Sequence, residues 1–156
     1  MSRGHEFSIE PIVGWRLWHV RLHEDAYRLE SFTWHHVSWP ARRRFEARCP
    51  AHGLAAPVQG HECGIYGFRT RQLAEELLRR YTGIRQHYGR PHGELPPLRR
   101  GCPLALGRVS LWGRVVVREH GFRAQFAYPY ELFLIGGGND VARELRRLYA
   151  VDVAPS

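Results

Sequence analysis

The sequence predicts an α+β fold: antiparallel β-hairpins forming a sheet, two amphipathic helices, and a short Cys/His loop. Three observations predict it. Two segments carry the alternation of half-buried strands, and two others repeat apolar residues at helical spacing. The stretch from Cys49 to Cys63 breaks both patterns with glycine, proline, cysteine and histidine.

The first hairpin runs from Gly14 through Leu22 to the polar turn His23-Glu24-Asp25 and returns over Tyr27 to Val37, rich in aromatic and β-branched residues. The first helix is predicted over Arg71 to Tyr81. Thr70 is a suitable N-cap, the stripe Leu73, Ala74, Leu77, Leu78 and Tyr81 is apolar, and Gly83 can stop it. Residues 84–106 hold prolines and glycines at short intervals and predict a connector without long regular structure.

The second hairpin is the cleaner of the two. From Gly107 onward Val109, Leu111, Val115 and Val117 fall on one face, and Arg108, Ser110, Trp112, Arg114 and Arg118 on the other. After the turn Glu119-His120-Gly121, the residues Phe122, Ala124, Phe126 and Tyr128 alternate with Arg123 and Gln125. Asn139 or Asp140 can cap a second helix in which Val141, Leu145, Leu148 and Tyr149 face inward. Gly136-Gly137-Gly138, just before it, reads as a turn, since no Lys-Ser/Thr pair or G-x-G-x-x-G marks a phosphate loop.

With 156 residues, the whole chain, 1–156, fits one domain around a single core. Apolar residues at 44% and charged residues at 24% are ordinary globular usage, which argues against disorder. No stretch has the roughly 20 apolar residues that cross a bilayer, and the N-terminal residues lack the apolar core of a signal peptide, so the expected address is cytoplasmic with no membrane partner. There Cys49, Cys63 and Cys102 stay reduced, which favours a metal site or buried thiols over a disulfide.

Every one of the 23 basic residues is arginine, and the formal net charge is +8. Guanidinium groups hold phosphates and carboxylates in bidentate fashion, so the surplus fits nucleic acid or another polyanion. A GC-rich genome explains the missing lysine equally well; the net charge stands apart from that. On the second hairpin, Arg108, Arg114, Arg118 and Arg123 beside Trp112 could track a phosphate backbone while the indole stacks on a base. The alternative is a solvated sheet face with Trp112 covered.

The segment from Cys49 to Cys63 has the form C-x2-H-x8-H-x-C, with Cys49, His52, His61 and Cys63 as candidate ligands. Zinc takes four soft or borderline donors at tetrahedral corners, and two short ligand pairs on a glycine- and proline-bearing loop can supply them. Gly60 and Gly64 allow tight turns around an ion. The alternative places the cysteines in the core and the histidines on a solvated loop. Four protein donors leave no open coordination position, which favours a structural metal over a catalytic one.

The pieces Gly14-Trp15-Arg16, Cys49, His52, Cys63-Gly64-Ile65-Tyr66, Gly107-Arg108-Val109-Ser110-Leu111-Trp112-Gly113 and Gly121-Phe122-Arg123-Ala124 carry a resemblance. The chain resembles a group of small uncharacterised proteins of high-GC Gram-positive bacteria with a Cys…His…Cys-x-Cys-Gly-Ile-Tyr centre. His61 stands where the group has cysteine, a change that keeps the donor count.

Other constellations are weaker. His35 and His36 point to opposite faces of a strand and cannot readily share an ion, with or without His19 and His23. Cys63 beside Glu62, or Cys102 with His92 or His120, can be drawn as a thiol dyad without any local sign of activation. The sequence therefore favours a zinc-stabilised basic binding module. The alternatives are a small metal- or thiol-dependent enzyme and a protein-interaction adaptor.

Overall fold

The computed structural model describes residues 5–32, 37–49, 51–58, 60–88 and 103–155. Cys102, His92, His35, His36 and the connector from 89 to 102 lie outside the described residues, as does the side chain of Tyr81. The elements are β1 (His5–His23), β2 (Ala26–Ser31), β3 (Phe45–Glu46), β4 (Ile65–Phe68), α1 (Arg71–Tyr88), β5 (Leu104–Val117), β6 (Gly121–Ile135), α2 (Gly138–Tyr149) and β7 (Asp152–Pro155). The fold is α+β, with one mixed sheet of seven strands.

Three long strands make the frame. β5 pairs antiparallel with β1 along one edge and with β6 along the other. The outer edge of β6 is shared in sequence by β4, β3 and the parallel β7. β4 also touches β1 at Trp15 and Phe68, so β1, β5, β6 and β4 form a closed ring of pairings. Closure demands close backbones: a Cβ at Gly121 would run into the Gly67 carbonyl of the facing strand.

Both hairpins form where the alternation predicts them. Glu24 and Asp25 both take positive φ (47° and 64°) in the two-residue turn between β1 and β2, the backbone twist such hairpins require. The return strand is shorter than expected and ends at Ser31. The Ser31 N–H donates to Val37 O (2.9 Å) and the Trp39 N–H to Leu29 O (2.8 Å), so the chain doubles back. Doing so buries Trp39, whose indole N–H donates to Ser31 Oγ (3.1 Å) and whose ring stacks on Phe45 (4.9 Å between centroids).

The simple two-faced reading of the second hairpin is interrupted twice. Register shifts lie between Trp112 and Val115 on β5 and opposite Tyr130 on β6. At the first, Gly113 has φ of 80° and the Arg114 N–H turns to Gln125 Oε1 (3.2 Å). Val109, Leu111 and Val115 stay fully buried as the alternation expects, while on β6 both Ala124 and Ala127 are fully buried, so that strand is covered on both faces.

The helices differ from expectation at their ends. Thr70 Oγ1 accepts from the Leu73 N–H (3.3 Å), the predicted cap. The helix then runs through Gly83 to Tyr88, into the span expected to be a connector, because a single interior glycine costs only about 1 kcal/mol and the first proline comes at 91. In α2 the N-cap is Gly137, left-handed at φ 86°, and makes no side-chain cap. Asn139 and Asp140 sit inside the first turn, where the Asp140 carboxylate favours the positive end of the helix dipole. Val141, Ala142, Leu145 and Tyr149 are buried, and α2 packs on β2, β6 and β7. No helix among the described residues is long and apolar enough to cross a membrane.

Candidate metal centre

The Cys/His loop fills the chain between β3 and β4, and both of its ends are tied to β6. The Ala47 N–H donates to Gln125 O (2.9 Å), and Ile65 pairs with Ala124. Neighbouring residues of one strand thus hold the start and finish of the loop side by side. Cys49, two residues after Ala47, must meet Cys63, two residues before Ile65.

Inside the loop the backbone makes two turns. The Ala56 N–H donates to Ala47 O (3.1 Å), the Cys49 N–H to Leu54 O and the Gly53 N–H to Cys49 O (both 2.8 Å). This small ladder swings His52 back over Cys49, and Gly53, at φ 64°, supplies the reversal. The Ala56–Pro57 peptide is cis. A second turn, with the His61 N–H on Val58 O (3.2 Å) and Gly60 at φ 75°, brings His61 to the same sulfur from the other side.

Cys49 Sγ lies 3.2 Å from His52 Nδ1 and 3.3 Å from His61 Nδ1. The three donor atoms lie within 4.8 Å of one another and could hold a metal ion. The imidazole rings stand at 87°, so their donor atoms converge while the rings avoid each other. Zinc bonds of about 2.3 Å to sulfur and about 2.0 Å to nitrogen imply a tetrahedral sulfur–nitrogen edge of about 3.5 Å, a few tenths longer than these separations.

Cys63 lies beside the group on its inner side and is not one of the three donors that converge within 4.8 Å. Its sulfur accepts from the Val58 N–H (3.1 Å) and is a hydrogen-bond partner of the Cys49 thiol. Both thiols are buried and free, His61 is half-buried and His52 is exposed, so the cluster opens outward through the imidazoles. Burial pushes the Cys49 thiol up, but hydrogen bonds from the His52 side chain, the His52 and Ala51 backbone and Cys63 outweigh it and bring the pKa to about 7. Burial raises the Cys63 thiol; the neighbouring Cys49 adds to this, while the Val58 N–H and the Arg123 charge pull against it. The site thus holds one readily formed thiolate, Cys49, beside a thiol that burial keeps protonated.

The five hairpin residues expected to meet nucleic acid do not form one surface. Arg108 is ion-paired with Glu131 (2.7 Å) and lies over the Tyr130 ring. Trp112 packs against Phe126 (6.0 Å) and is half-buried. Arg114 reaches the loop, donating to Ala55 O (3.2 Å), and Arg123 is buried beneath it, donating to His61 O (3.0 Å). Only Arg118 has an exposed side chain without a contact among the described residues. Two of the arginines thus fasten the Cys/His loop. Neither spacing nor charge signals that role, because it depends on which loop lies over the strand.

No protein-family model matches the chain, and no curated protein or solved structure shows significant similarity to it.

Proposed function

We propose that this chain is a zinc-stapled, basic binding module whose partner is a polyanion, nucleic acid above all. The observation that carries the staple is the convergence of His52 Nδ1 and His61 Nδ1 on the buried Cys49 sulfur, with Cys63 behind it. Two thiolates and two neutral imidazoles offset the dication and match the borderline softness of zinc. Such a set leaves no open position for substrate, so the metal shapes the loop and the chemistry of recognition falls to the surface. The formal charge of +8, all of it from a surplus of arginine, supports an anionic partner.

Metal analysis of the purified chain tests this reading. One zinc per chain is expected, lost in Cys49→Ser and in Cys63→Ser and retained in His61→Cys, which restores the cysteine of the group the sequence resembles. A stable wild type without metal overturns it.

A further inference from the structure

A groove of about 1570 Å³ runs beside the Cys/His loop. Its walls come from the end of the loop, from β4, from α1 at Leu77 and from the β5–β6 turn. Five arginines line it: Arg16, Arg48, Arg69, Arg118 and Arg123. None of the five makes an ion pair among the described residues, although Glu46, Glu62 and Glu119 line the same groove from exposed positions. The arginines outnumber the acids, and the acids stay in water.

One of the cations is sunk below the surface and a second is half-buried. Arg123 is 8% exposed, and its only hydrogen bond among the described residues goes to a backbone carbonyl. Arg16 donates to the Tyr66 carbonyl (2.7 Å) and more weakly to Ser31 Oγ (3.4 Å), while its Nε is buried without a partner. Burial lowers its pKa to about 10, the mark of a guanidinium short of water and of counter-charge. Tyr66 sits between the two: its carbonyl takes Arg16, and its cross-strand partner on β6 is Arg123. Holding two such cations without a carboxylate costs desolvation energy that a bound anion would offset.

The size and the aromatic content decide which anion. Sites for small ligands enclose about 300–1,000 Å³, so this groove is larger than one metabolite needs. Tyr66 and Phe68, packed edge to face at 5.0 Å, and Phe45 are half-buried in its lining. Arginines that follow a backbone beside rings that stack on bases are the combination used for unpaired strands, whereas a duplex hides its base faces.

We infer that this groove binds single-stranded nucleic acid, with Arg48, Arg69 and Arg118 meeting phosphates, Arg16 and Arg123 charging the floor, and Tyr66 and Phe68 offering faces to bases. This deepens the polyanion-binding reading above and rests on it, while standing apart from the zinc.

The test is fluorescence anisotropy with a labelled oligothymidylate of about 20 nucleotides, its same-length duplex, and zinc content measured on every sample. Saturable binding that weakens linearly in log salt is expected, with the single strand tighter than the duplex. Arg48→Glu/Arg118→Glu should weaken it by about tenfold or more and flatten the salt slope, while the charge-matched Arg143→Glu/Arg147→Glu on exposed positions of α2 leaves it within about threefold. If the groove variant also loses zinc, Arg118→Glu alone decides, with a loss of about threefold or more expected. No saturable binding, a preference for duplex, or equal weakening by both double variants overturns the groove. Zinc present with no oligonucleotide bound overturns the groove and leaves the staple; the expected binding without zinc does the reverse.

Discussion

Residues 47–64 and residues 138–155 hang on the same edge of β6 and are held there by different physics. The C-terminal unit docks through large apolar side chains: Val141, Leu145, Tyr149 and Val153 are all at most 5% exposed. Among its described residues the loop buries Ala47, Cys49, Ala56, Pro57 and Cys63, and its one leucine, Leu54, is 60% exposed. Full burial of a Leu- or Val-sized side chain is worth about 1.5–3 kcal/mol, and the loop has no such contribution of its own. What it has is converging donors and backbone ties to β6. The difference teaches that one segment is folded by its apolar side chains and the other by backbone ties beside a set of converging donors.

Stripping the metal should break the comparison most severely. With a strong chelator the amides of 47–64 should lose hydrogen-exchange protection while those of 138–155 keep theirs, at a cost to stability of about 4 kcal/mol or more. Protection unchanged in both segments would mean the loop needs no ion. Leu145→Ala attacks the other side. Its side chain is fully buried, so urea denaturation should register a loss of about 3–4 kcal/mol with zinc content untouched.

A smaller effect comes from Tyr149, whose hydroxyl accepts from the Leu29 N–H and donates to Trp39 O, both at 2.9 Å. Tyr149→Phe leaves those two buried groups unsatisfied and should cost about 2 kcal/mol. The pH dependence has a definite sign. Burial raises the phenol to about 12, above an unfolded value of about 10. Its contribution is therefore complete below pH about 10 and is lost as pH rises toward 12, a decline that the Phe variant should lack. The smallest change expected is Arg123→Gln, which loosens the tie to His61 O. About 1 kcal/mol of stability and faster release of zinc to a colorimetric chelator would show it, with α2 unaffected.

The same contrast explains how much was legible in the sequence. The β5–β6 hairpin and the buried face of α2 rest on local periodicity, so alternation at Val109 and Leu111 and helical spacing at Val141, Leu145 and Tyr149 suffice to find them. β4 and β7 were missed because four residues carry no period and their pairing with β6 is non-local. Bulges at Gly113 and Tyr130 interrupt the hairpin locally, yet Val109, Leu111 and Val115 keep the buried face that alternation assigns them. In the candidate site, Cys49 and His52 are found by their three-residue spacing and one backbone turn. That Cys63 and His61 return to them depends on the loop ends meeting on β6, and Arg123 looked like a solvent-facing strand residue until the loop covered it.

Cobalt substitution tests the central claim most directly. A cobalt-loaded chain bound through Cys49, His52, His61 and Cys63 should show the intense visible bands of tetrahedral coordination and sulfur-to-metal charge transfer, both lost with the metal when either cysteine becomes serine. A weak octahedral spectrum, or one indifferent to both cysteines, would contradict it.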